Sequence, residues 1–272
     1  MIEQRHVARA SAIALAALLL AILRGSSAIA SPIEPEGDSS SQSAFAVGER
    51  LVFDVGFGFI TAGEAIMSIP KSETIAGYPC YQVSFQVNST PTFSWFYEVR
   101  DRYETFLDVE GIFPWRFEQH VKEGKYHLDF AAQFDQVKHV ANASGKEFPI
   151  PPKVQDIMSA FYYVRTLDFS HMPIGERIHL HNFIKDTTYD LDVKFIGRQT
   201  IEVDAGTFKC LIIEPLAREG GLFKSDGRVL LWLSDDDRKI PVKVSTKIII
   251  GSINSELREY SGINGELKAR IK

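Results

Sequence analysis

The chain has 272 residues, 45% of them hydrophobic and 11% aromatic, with 30 Lys and Arg against 35 Asp and Glu. That acidic balance argues against phosphate-backbone binding and removes nucleic acid from the partners to consider. A mean hydropathy of −0.06 points to an ordered globular chain with enough length for one large core or two modest ones.

Arg5 and Arg9 precede an apolar or small run from Ala10 to Leu23, followed by Arg24, Gly25 and small residues up to Ala28-Ile29-Ala30. This is the order of a secretory signal, with cleavage expected between Ala30 and Ser31. The run is shorter than the roughly 20 residues a membrane-spanning helix needs. Arg24 is the awkward residue, and an uncleaved anchor is the weaker alternative. Cleavage removes Arg5, Arg9, Arg24 and Glu3, giving a mature net charge of about −7. The expected location is the periplasm or the exterior, with no integral membrane segment after cleavage and no N-terminal cysteine to lipidate, since Cys80 comes first. Residues 31–44, rich in Pro, Ser and acidic groups, read as a disordered leader.

From residue 45 to 263 the pattern is one β-rich domain in two halves, 45–150 and 171–263. Gly48-Glu49-Arg50 recurs as Gly175-Glu176-Arg177, and Phe96, Asp108 and Pro114 recur as Phe223, Asp235 and Pro241, all at an offset of 127. Ala76-Gly77 and Cys80 recur as Ala205-Gly206 and Cys210 at 129 and 130. Turn residues alone do not hold order and spacing together in this way, so a duplicated topology is the better reading. Leu51, Phe53, Val55, Phe57 and Phe59 alternate with Val52, Asp54, Gly56 and Gly58, and Tyr81, Val83, Phe85 and Val87 repeat the period of two. Between the halves, Val154, Ile157, Met158, Phe161 and Val164 follow helical spacing, which predicts a helix near 153–167. Tyr162 and Tyr163 widen its apolar stripe beyond what one partner needs. The fold expected is mainly β, two pseudo-repeated antiparallel halves forming a curved sheet or half-barrel with one connecting α-helix packed against it. An outer-membrane barrel is the less favoured alternative.

Chemistry is thin. A hairpin turning at Glu123-Gly124 would pair His120 with His127 and Glu118 with Asp129, a runner-up metal cluster against the plainer reading of a solvated face. His179 and His181 share a strand face without a third ligand, and Asp235-Asp236-Asp237 lacks the spacing of a calcium loop. No nucleophile elbow, zinc-helix motif or phosphate loop occurs, no cofactor is implied, and an enzyme is the less favoured class. Cys80 and Cys210 form a candidate disulfide only if the pseudo-twofold axis runs between them. The aromatic stretch Phe93-Ser94-Trp95-Phe96 and its counterpart around Leu222 and Phe223 lie in equivalent connections. They either plug the end of the sheet, which is the more frequent case, or, together with Phe161 of the helix, gate an apolar site.

Gly48-Glu49-Arg50-Leu51, the stretch Asp156 to Arg165, Ala205-Gly206-Thr207-Phe208, and Trp232 to Asp236 with Ile240-Pro241-Val242 resemble the exported bacterial family catalogued as domain of unknown function 3108. The resemblance runs from about Phe45 to Tyr260. It implies a fold and an exported location, and carries no catalytic residues. The ligand class expected is an apolar or amphipathic envelope molecule or lipid, with an assembly role through protein contacts as the alternative and a metal-dependent enzyme after that.

Overall fold

A computed structural model describes residues 43–58, 60–217, 228–247 and 251–272. The signal and most of the leader lie outside the described residues. Ser43 and Ala44, read as the leader's end, are already part of the fold: the Ser43 carbonyl accepts from Arg238, and Ala44 is buried.

Fourteen strands make one antiparallel sheet: β1 (Arg50–Phe57), β2 (Ile60–Ile75), β3 (Tyr78–Ser89), β4 (Arg100–Asp108), β5 (Pro114–Glu123), β6 (Tyr126–Asp135), β7 (Val140–Ala143), β8 (Lys146–Pro149), β9 (Arg177–Ile184), β10 (Thr187–Val203), β11 (Gly206–Ala217), β12 (Val229–Ser234), β13 (Pro241–Lys247) and β14 (Ser252–Ser261). Their order is β8-β7-β6-β5-β4-β3-β2-β1-β14-β13-β12-β11-β10-β9. Two meanders thus meet where the first strand pairs with the last, Leu51 opposite Tyr260 and Phe57 opposite Ile253. The outer strands β8 and β9 do not pair. Instead the extended stretch before the helix lies parallel to β9, Gln155 opposite Asn182, with backbone bonds of 2.8 Å from Gln155 to His181 and from Phe183 to Gln155. Phe183 also meets Phe134 and Phe148 across this seam, at 5.6 and 5.9 Å between ring centres.

The repeat is present in the backbone. Gly48 and Gly175 have φ of 101° and 96°, a left-handed geometry that glycine adopts without strain. Each donates to the second strand of its half, Gly48 to Ile69 on β2 and Gly175 to Phe195 on β10, both at 2.8 Å. The sheet bulges just after Ser68 and just after Phe195, and again after Phe106 and after Trp232. The register places Asp204-Ala205, rather than Ala205-Gly206, in the turn equivalent to Ala76-Gly77, because Ile75 faces Tyr78 as Val203 faces Gly206. Residues 264–272 continue the fold past residue 263: Leu267 and Ala269 are buried, and Ile271 bonds to Thr207.

A single-turn helix, α1 (Pro91–Ser94), lies in the β3–β4 connection. The joining helix, α2, covers Ile157–Thr166, shorter than expected because Pro152 and Lys153 form a turn, Lys153 with a φ of 53°, and Asp156 is still extended. Asp156 caps it, accepting from the Met158 and Ser159 amides at 2.7 and 2.9 Å, while Ser159 Oγ accepts from the Asp156 amide at 2.8 Å. Two cores flank the helix. Met158 and Tyr162 belong to the larger core, which draws on strands of both halves, Ala160 and Val164 to a smaller core built from the second half, and Phe161 and Tyr163 touch both. The broad stripe is explained by these two partners.

Inward residues of the strands, Leu51, Phe53, Ala65, Met67, Val83 and Phe85 among them, form the larger core. The outer face of β4 and β5 carries Arg102, Glu104, Arg116, Glu118, His120 and Lys122, largely in ion pairs. That is the reverse of a lipid-facing barrel, which is apolar outside. Among the described residues no helix is long and apolar enough to cross a membrane.

Candidate functional site

The antiparallel meander separates two ends. At one lie the β2–β3, β4–β5 and β12–β13 turns and both ends of α2; at the other lie the β1–β2 and β5–β6 turns and the α1 connection.

The helix end is locked by a buried ion pair. Arg165, with no exposed surface, grips Glu49, 1% exposed, through two bonds of 2.7 Å, and also donates to the Ala44 carbonyl at 3.2 Å and the Arg238 carbonyl at 3.2 and 3.3 Å. Its guanidinium stacks near Tyr162 and Phe45, 4.9 and 5.2 Å from the ring centres. Thr105 Oγ1 donates to Asp156 at 2.5 Å, and burial pushes the Asp156 carboxyl up to about 6. All of this chemistry holds helix to sheet. Phe161, expected beside the aromatic connection, belongs here and packs on both cores.

The opposite end exposes large apolar side chains. Pro91 starts α1 and the chain leaves it through Trp95, so neither ring that follows is tucked under the sheet. Trp95 and Phe96 meet edge to face at 4.6 Å and are 82% and 74% exposed. The connection is braced by Ser89, whose Oγ lies 2.7 Å from Ser94 Oγ and accepts from the Val99 amide at 3.0 Å. Phe93 is half-buried. Phe57, Ile60 and Tyr126 add exposed apolar surface at the same end. The plug expected from base frequencies is not what Trp95 and Phe96 form, because a short helix carries them outward. Leu222 and Phe223 lie outside the described residues.

Just beneath this rim is a polar cluster that the sequence reading missed. Asp101, Tyr103, Gln119 and Glu123 are buried on the inner face of β4 and β5, Tyr103 opposite Gln119 and Glu123 opposite Val99. Asp101 Oδ1 accepts from the Lys122 amide at 3.0 Å. Its Oδ2 and Glu123 Oε1 are buried and receive no N–H donor, the two carboxyls bonding to each other, and the Tyr103 hydroxyl is buried beside Gln119. Burial, with Glu123 beside it, pushes Asp101 up to about 7, and burial raises Glu123 and Tyr103 as well. The alternation of Asp101 and Tyr103 with Arg100 and Arg102 was the available signal, since it places acid and phenol on the core face.

The metal cluster does not assemble. The β5–β6 turn is Gly124-Lys125, so Glu123 faces Tyr126, His127 faces Lys122 and His120 faces Asp129. His120 Nδ1 lies 2.7 Å from Asp129, and Glu118 faces Ala131 instead of Asp129. His179 and His181 likewise each sit against an aspartate on β10, Asp192 at 2.5 Å and Asp190 at 3.1 Å. Among the described residues no three His, Cys, Asp or Glu gather as metal ligands. Cys80 and Cys210 are free and buried in separate clusters, Cys80 with Phe106 and Trp115 and Cys210 in the main core. Burial raises both thiols, Cys80 to about 11 and Cys210 to about 12. Asp236 ties the β12–β13 turn, accepting from Ser234, Arg238 and Lys239. A groove of about 660 Å³ lies outside the sheet near the β2–β3 turn, lined by Tyr78, Trp115, Arg116, Lys138 and Glu147, with Tyr78 stacked on Trp115 at 4.0 Å.

Comparison with known proteins gives a family model described as "Protein of unknown function (DUF3108)" matching residues 52–258. No curated protein matches the sequence. Among solved structures, a β-barrel-like protein of the DUF1849 domain from Brucella abortus is similar at a TM-score of 0.50 and 12% identity, over 80% of this chain and 98% of that one. A candidate lipoprotein from Parabacteroides distasonis follows at 0.39 and 12%, over 82% and 100%. A candidate exported protein with a YmcC-like fold from Bacteroides fragilis stands at 0.35 and 10%, over 80% and 97%.

Proposed function

The chain belongs to the family of proteins of unknown function DUF3108, and from that premise we propose that it is an exported, non-enzymatic binder of an apolar or amphipathic envelope molecule. The observation that carries the reading is the Trp95–Phe96 pair, held out at the same end of the sheet as the exposed Phe57 and Ile60. Large aromatics left this exposed forgo roughly 25 cal/mol per Å² of burial, which contact with an apolar partner recovers. The signal-like residues 1–30 and the acidic mature chain support an envelope location.

The test is native mass spectrometry of protein purified from its own periplasm, followed by solvent extraction. The expected result is a co-purifying amphiphile that is lost from the Trp95→Ala/Phe96→Ala variant while the circular dichroism spectrum stays unchanged. Protein that carries nothing apolar, and takes up no added alkyl amphiphile, would move the assignment to the second reading. That reading is an assembly role through protein contacts, favoured by the groove beside Tyr78 and Trp115.

A further inference from the structure

We infer that the cluster of Asp101, Glu123 and Tyr103 beneath the aromatic rim is a binding site for the ammonium head of a cationic amphiphile. The inference rests on the apolar-binder reading and adds the ligand's charge to it. Three oxygens carry it: Asp101 Oδ2, Glu123 Oε1 and the Tyr103 hydroxyl, all buried, with no backbone amide and no cationic side chain among the described residues to meet them. Buried carboxylates are almost always met by a cation or by several N–H donors, and two of them on neighbouring strands with no cation beside them call for one. A primary ammonium has three N–H donors and no acceptor, so it can donate to both carboxylates and to the phenol oxygen at once, the phenol's own hydrogen being left for Gln119 on the facing strand.

Position agrees with this chemistry. Glu123 ends β5, and the next amide, Gly124, bonds to the Glu98 carbonyl of the aromatic connection at 2.8 Å. Tyr126, opposite Glu123 and half-exposed, stands at the rim. A head seated on the three oxygens sends its alkyl chain past Tyr126 toward Trp95 and Phe96. The repeat provides an internal control. The Tyr103–Gln119 rung corresponds to Val229–Thr246, and the next rung, Thr105–Phe117, to Leu231–Val244. An acid-and-phenol interior is therefore no requirement of this sheet.

Without a ligand, two adjacent buried carboxyls are held together by one proton, as like charges in a dry site demand. Binding then exchanges cation for proton: the alkylammonium enters and the shared proton leaves to solvent.

The experiment is isothermal titration of the mature chain with decylamine, decanol and decanoate at pH 6.5, repeated in buffers of different ionisation enthalpy. Expected are at least about tenfold tighter binding of decylamine than of either other amphiphile, and release of about one proton. In Asp101→Asn/Glu123→Gln, which removes the buried acids, the preference should fall to within about twofold of unity. Equal binding of all three by the native chain, or release of no proton with decylamine, overturns the ammonium site and leaves the apolar reading standing. Binding of none overturns both. Preference that persists in the variant also overturns the site, and the proton count on the native chain decides the matter if the variant does not fold.

Discussion

Rung for rung, Tyr103 opposite Gln119 in the first half answers to Val229 opposite Thr246 in the second, and Glu49, sealed against Arg165, answers to an exposed Glu176. The halves agree in turns, bulges and the left-handed Gly48 and Gly175, which local backbone geometry dictates. They differ in buried polar groups, which burial penalises and whose retention depends on their particular neighbours. One joining helix supplies one Arg165, so only one of the two equivalent glutamates can be buried. The duplicated backbone is therefore a shared scaffold, and the first half carries both the buried glutamate of the lock and the acid-and-phenol cluster.

The sharpest way to break this comparison is at the two glutamates. Arg165→Ala leaves Glu49 buried without its cation and should cost about 3–5 kcal/mol in urea unfolding, whereas Glu176→Gln should stay within about 0.5 kcal/mol. Equal effects at both positions would remove the distinction.

Next in size is the pH dependence of the polar interior. Asp101 is pushed up to about 7 in the folded chain, so the native state binds its proton more tightly than the unfolded chain does. Its stabilising contribution is full below about pH 4 and is lost as pH rises toward 7. Asp156, up to about 6, slopes the same way. The groups facing Asp101 are Glu123, Tyr103 and the Lys122 amide, with no cation among them. Asp101→Asn should therefore flatten part of the fall in stability between pH 4 and 8, by on the order of 1–3 kcal/mol, and be the more stable protein at pH 8. A steeper fall in the variant would contradict the assignment.

Smaller again is the helix cap. Asp156→Ala removes three acceptor bonds and should lower stability by about 1–2 kcal/mol, read by thermal unfolding at pH 7. A loss as large as that of Arg165→Ala would mean that the helix is held chiefly by its start.

The repeat, the alternating strands and the helix between them were legible in the sequence because each has a period. The hairpin register was not: Glu123-Gly124 and Gly124-Lys125 are both acceptable turns, and moving from one to the other brings His120 from His127 to Asp129. The Arg165–Glu49 pair joins residues 116 apart, and nothing local announces it. Trp95 and Phe96 were recognised as unusual, yet whether they plug or protrude depends on the direction in which α1 releases the chain. The buried acids were passed over because Asp101 and Glu123 sit among charged neighbours that face outward.

The pairing of β1 with β14 sets a clock on folding. Arg258 reaches Asp54 and Glu64, partners 204 and 194 residues away, both at 2.5 Å. Each meander can zip through its own hairpins, but the ladder between them waits for the last strand, so closure across the longest stretch of chain comes late. A chain truncated before residue 252 would keep two local meanders with raw edges at Arg50–Phe57 and Pro241–Lys247, a template for joining one molecule to another.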